Sequence, residues 1–187
     1  MTTHPILSRA LALSLSACVG QAPDAPVPGP PAAGSAVTSP EAAAPHVVGV
    51  RYEIQSTGYW CGPTATDIAL SARIAPPGQA ALAQQLHTTT DGTDRVGQVT
   101  DVLNANLGAT WFATREMPDD PPTQAQRDLL WHDLTRAVDD GFAFVANIVA
   151  PASNHPPGYP STTIYHYFTV IGYDPVSRDA YIADPAD

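Results

Sequence analysis

The sequence predicts an α+β domain in which N-terminal helices pack on an antiparallel sheet. Two observations carry that class. Up to Gly141 the apolar residues recur mainly at helical spacing, and beyond it they gather into extended runs that close with a hairpin. No repeat is visible between Val47 and Asp187, and helices followed by strands differ from the alternation that builds a parallel sheet.

In order, Arg51 to Gln55 reads as extended. Cys61-Gly62-Pro63 opens a helix reaching about Ile74, with Pro63 in the first turn, where its missing N–H costs nothing, and Ile68, Ala69 and Ala72 on one face. Thr93 or Asp94 is expected to cap a second helix through Val99, Val102, Leu103 and Leu107, closed by Gly108. Thr123 and Gln126 form a capping-box pair before Leu130, Leu134, Ala137 and Val138, and Gly141 stands where a helix closes. Phe142 to Val149 is a nearly unbroken apolar run, expected as a central strand, and Tyr165–Tyr173 with Ala180–Asp184 reads as a hairpin around Asp174–Asp179.

Composition narrows the function. Acidic residues outnumber basic ones by 18 to 8 with no Lys/Arg cluster, which argues against nucleic acid as a partner. No apolar run approaches the roughly 20 residues of a transmembrane helix. Arg9 precedes the short apolar run Ala10 to Ala17, and Leu15-Ser16-Ala17-Cys18 resembles the lipobox of a bacterial lipoprotein signal. Residues 1–18 are therefore expected to be an export signal with Cys18 as the lipid anchor. Gln21 to Pro45 is almost entirely Ala, Pro, Gly and Ser, a composition too poor in core formers to fold. Residues 19–46 are expected as a disordered linker and 47–187 as the folded domain of an exported protein, tethered at the cell surface or secreted.

Cys61 stands immediately before a helix, whose free N–H groups and dipole favour a thiolate; a disulfide to Cys18 is the bland alternative. Gln55 precedes it at a distance that lets its amide reach the cavity beside the thiol, although alone it reads as a surface residue. His166, on a strand, is the candidate proton acceptor, with His155 in a Pro-rich loop as rival. If the hairpin pairs Phe168 with Asp184, then Asp184 shares a face with His166 and lies diagonal to it; a slip of one residue turns it away. Asp174 competes, yet an Asp before Pro at a turn has an ordinary structural task.

The segment from Tyr52 through Gln55 to Cys61-Gly62-Pro63-Thr64 resembles the Gln-x5-Cys-Gly-Pro box of C39-like cysteine peptidases, and Tyr165–Asp174 with Tyr181–Pro185 resembles their His and Asp-Pro motifs. The resemblance implies a papain-like cysteine peptidase fold. It also implies Cys61 as nucleophile, His166 as base and then acid, Asp184 as the residue orienting His166 and Gln55 as oxyanion donor, cleaving peptide bonds through an acyl-enzyme. Familiar members trim double-glycine leaders while fused to a transporter, whose membrane helices and nucleotide-binding domain do not occur here, so that substrate is not carried over. The chain stops three residues after Asp184, where such a sheet is expected to continue, so a truncated domain with Asp184 on a fraying end is the expectation.

No HExxH-like or paired-cysteine spacing points to a metal, and no cofactor is expected. The expected partner is a peptide or protein substrate of a monomer, with membrane contact only through the lipid anchor. Ala150–Ser161 and Thr88–Asp94 are expected to border the cleft. Three other readings remain at this stage: a thiol amidase or acyltransferase with the same site, a catalytically inactive surface-tethered peptide-binding module, and a purely structural lipoprotein.

Overall fold

A computed structural model describes residues 2–4, 44–155 and 158–186, the first three by their backbone alone. In chain order the elements are β1 (Thr2–His4), β2 (His46–Val47), α1 (Cys61–Ser71), α2 (Gln79–Gln85), α3 (Val96–Leu107), α4 (Gln124–Asp139), β3 (Phe144–Ala150), β4 (Ile164–Tyr173) and β5 (Ala180–Ala183). The chain is α+β: among the described residues four helices precede a sheet hairpin, and every strand pairing there is antiparallel. This arrangement is compatible with a papain-like peptidase fold.

The sheet is organised around β4, which pairs with β3 along Ile164–Val170, with β2 at Gly172 and Tyr173, and with β5 on its other edge. The Phe142–Val149 run was expected to be central, but among the described strands β3 pairs only with β4. Its apolar sequence reflects helix cover rather than a strand on each side: Phe144, Val145, Ala146, Ile148 and Ala150 are all buried. β1 lies against β5 within the segment expected to be an export signal. The rest of that segment, Cys18 included, and nearly all of the expected linker lie outside the described residues.

α1 is the central helix. Residues Gly62 to Leu70 are buried without exception, because α1 packs against β3, β4, α2 and α3 together. The single apolar face expected for it understates this, and the helix ends at Ser71 rather than near Ile74. α2 was not expected from sequence; its Leu82 and the following Leu86 are fully buried, but so short an apolar pattern gives little periodicity to read.

α3 begins later than expected. Its N-cap is Arg95, not Thr93 or Asp94, and the Arg95 N–H donates to the Gln98 side chain at 2.9 Å. α4 forms as its sequence indicates: Thr123 and Gln126 exchange capping bonds, and Gly141 at φ 78° closes it with the Gly141 and Phe142 N–H groups on Val138 and Ala137.

Candidate active site

The site is assembled where the start of α1 meets β4. Thr169 Oγ1 donates to the Ala65 carbonyl at 2.8 Å and Tyr167 Oη to the Thr93 carbonyl at 3.1 Å, which fixes the helix and the 88–94 loop against the strand. A Cβ at position 62 would strike the Thr93 side chain, so glycine is what allows the first turn of α1 to approach this closely.

Cys61 is the first residue of α1 and a free thiol. Trp60, the N-cap, supplies no side-chain acceptor, so the helix N-terminus is left to the sulfur. Burial works against the thiolate. It is outweighed by the hydrogen bond to His166 and that ring's charge, assisted by the N–H groups of Tyr167 and Gly62, and the Cys61 pKa falls below its ordinary value.

His166 is 6% exposed on β4, and its Nε2–H donates to Asp184 Oδ1 at 2.7 Å. Nδ1 is thereby the nitrogen left for the thiol. Desolvation alone would lower the His166 pKa; the bonds to Asp184 and to Cys61 prevail and raise it to about 9. Asp184 shows the converse: burial raises its pKa, but the bond and charge of His166, with help from Tyr159 and the Ala186 N–H, bring it below the usual carboxylate value. His155 does not take this place, and Asp174 instead binds the N–H groups of Val176 and Ser177 in the hairpin turn.

A β-bulge decides which way Asp184 faces. From Tyr173↔Ala180 and Gly172↔Tyr181, a regular ladder would set Asp184 opposite Thr169, on the face away from His166. Ile171 is the extra residue that shifts the pairing to Val170↔Ile182 and Thr169↔Ala183, so Asp184, the residue just past the ladder, falls in register with Phe168, on the face of His166. Gly172 beside the bulge is also the point of closest approach to β2, where a Cβ would strike the His46 carbonyl.

The end of the chain, expected to fray, is tied down at Asp184. Tyr159 Oη donates to its Oδ2, the Ala186 N–H to Oδ1 at 2.9 Å and Tyr52 Oη to its carbonyl at 2.9 Å. The Tyr159 ring also lies 5.4 Å from that of His166. Neither tyrosine was singled out from sequence, although Tyr159 falls in the Ala150–Ser161 loop expected to border the cleft.

Gln55 joins the site from irregular chain. Its N–H donates to the Pro185 carbonyl at 2.8 Å, next to Asp184, and its Nε2 donates one hydrogen to the Thr57 carbonyl at 2.9 Å, leaving the second N–H of that amide for another acceptor. Behind Gln55, Arg51 pairs with the fully buried Asp67 of α1 at 2.7 Å, so the strip carrying Gln55 is tied to the helix carrying Cys61. Burial, the largest influence on Asp67, keeps its pKa raised despite that partner. Beyond the 88–94 loop a cleft of about 770 Å³ opens, lined by Asp94, Arg95, Asp101, Thr114, Glu116 and Asn147. Asn147 of its wall pairs with Tyr167, the neighbour of His166 on β4, while the thiol itself does not line the cleft.

The sequence model of the Peptidase_C39 like family matches residues 47–187. No curated protein and no solved structure matches the chain.

Proposed function

The chain belongs to the Peptidase_C39 like family, and from that premise we propose that it is a cysteine peptidase that hydrolyses peptide bonds through a thioester, with Cys61 as nucleophile, His166 as base and acid, Asp184 as orienting carboxylate and Gln55 as oxyanion donor. The observation that carries this reading is a buried imidazole held by a carboxylate at 2.7 Å beside a free thiol at a helix N-terminus, whose pKa that imidazole lowers.

The lowered thiol and raised imidazole pKa values favour a thiolate–imidazolium pair at neutral pH. Its sulfur attacks the peptide carbonyl carbon, forming a C–S bond and an oxyanion. The second N–H of the Gln55 amide is the candidate donor to that oxygen. As the C–N bond breaks, imidazolium passes its proton to the leaving amine. Neutral His166 then takes a proton from water, the hydroxyl attacks the thioester carbonyl, and the C–S bond breaks to release the acid and restore the pair. Asp184 holds Nε2–H throughout and keeps Nδ1 turned toward the sulfur.

Digestion of a peptide library by the full-length protein and by Cys61→Ala, read by mass spectrometry, tests the proposal. New termini with gain of one water, produced only by the unsubstituted protein, are expected. Products carrying an amine acceptor in place of water would replace peptidase by acyltransferase, and identical spectra from the two proteins would refute the reading. The export signal and Cys18 anchor also stand as proposals, tested by the mass of the mature N-terminus.

A further inference from the structure

Gln79, the first residue of α2, has a side chain whose full hydrogen-bonding capacity is spent on one strip of chain. Its Oε1 accepts from the Ser56 N–H at 2.9 Å and from Ser56 Oγ at 3.0 Å, and its Nε2 donates to the Ile54 carbonyl at 2.9 Å and to Glu53 Oε2 at 3.0 Å. Ile54 and Ser56 are the residues on either side of Gln55. One amide therefore grips the peptide groups that flank Gln55, in a stretch with no helix or strand bonds of its own.

The grip is anchored to the nucleophile's helix. Glu53, which accepts from Gln79, pairs with Arg51 at 2.8 Å, and Arg51 pairs with the buried Asp67 of α1 at 2.7 Å. From α1 the connection runs through Asp67, Arg51 and Glu53 to Gln79, and from there to both sides of Gln55. The Gln55 N–H itself is held separately by Pro185, so two fixed points define the backbone from which the Gln55 amide projects.

We propose that Gln79 is a positioning residue for the oxyanion donor: it fixes the Gln55 backbone relative to Cys61, so that the Gln55 amide meets the oxygen of the tetrahedral intermediate. The proposal rests on the oxyanion role of Gln55 given above. Gln79 acts through Gln55 and touches no reacting atom.

Two reactions of Cys61 separate this role from a merely structural one. Acylation by p-nitrophenyl acetate passes through a tetrahedral oxyanion: the sulfur bonds to the acetyl carbon and p-nitrophenolate leaves. Alkylation by iodoacetamide displaces iodide at a saturated carbon and forms no oxyanion. In the full-length protein Gln55→Ala is expected to slow acylation about 10²-fold, the effect of losing one oxyanion donor, and Gln79→Ala about tenfold through misplacement, both with alkylation rates unchanged. Gln79→Glu keeps the acceptors for Ser56 but loses both donors, and is expected to slow acylation in the same direction without the volume change. Placed on Gln55→Ala, Gln79→Ala should cost nothing more, because the group it positions is gone.

Equal slowing of acylation and alkylation by both Gln79 variants, or full additivity with Gln55→Ala, would overturn the positioning role while leaving the oxyanion donor in place. Unchanged acylation in Gln55→Ala would remove the donor role itself, and the role of Gln79 with it.

Discussion

The two halves of the candidate site are held by different means. Cys61 and His166 sit on regular elements, the first turn of a buried helix and the central strand of the sheet. Gln55 and Asp184 sit on irregular chain, and both are fixed by side chains reaching from elsewhere: Gln79 around Gln55, and Tyr159 and Tyr52 on Asp184. Backbone ladders give the first pair their geometry as part of folding. The second pair depends on a few individual hydrogen bonds, each removable without taking away a helix or a strand.

Substitutions on the irregular side should therefore lower activity with little loss of stability. The largest effect is expected for Asp184→Asn, which keeps the shape but removes the charge that stabilises the imidazolium: kcat should fall roughly 10²-fold, the lower range for positioned proton transfer, with KM little changed. A comparable loss of thermal stability alongside it would break the distinction between the halves. Tyr159→Phe removes one hydrogen bond to a carboxylate while keeping the ring beside His166; at about 1.5 kcal/mol in the transition state, kcat should fall about tenfold.

The smallest effect is on stability and is read best without the thiolate. In Cys61→Ala the His166–Asp184 pair remains, and its contribution appears as the Tm difference from Cys61→Ala/Asp184→Asn. The imidazole is raised above 6.5 and the carboxylate lowered below 3.8, so the difference should be full between those values. It should shrink as pH rises beyond 6.5 through the raised imidazole pKa, and again as pH falls below 3.8 through the lowered carboxylate pKa. A difference that is flat from pH 3 to 10 would mean that the pair adds nothing to folding.

The same division explains what could be read from sequence. α4 was legible in full, since Thr123, Gln126 and Gly141 are local signals for local structure. The hairpin was legible too, but the face of Asp184 was legible only as a condition. Its fulfilment depends on the bulge at Ile171, and the one signal available was Gly172 inside an apolar strand. The cap at Arg95 was a local signal passed over, since its partner Gln98 is three residues away. The pairing of β3 with β4 only, among the described strands, and α2 with its Gln79 were not legible, because each is decided by contacts between segments far apart in the chain. Tyr52 and Tyr159 belong to that class: they meet Asp184 across 132 and 25 residues, and nothing local marks them.

The central claim is that Cys61 and His166 form a thiolate–imidazolium pair, and the rate of Cys61 alkylation by iodoacetamide from pH 4 to 9, in the full-length protein and in His166→Ala, tests it most directly. Fast labelling that persists well below pH 8 and slows sharply without His166 is expected, because the His166 pKa is raised to about 9 and the charged ring lowers the pKa of the thiol. Labelling that follows an ordinary thiol near pH 8.5, alike in both folded proteins, would contradict the pair and the peptidase mechanism built on it.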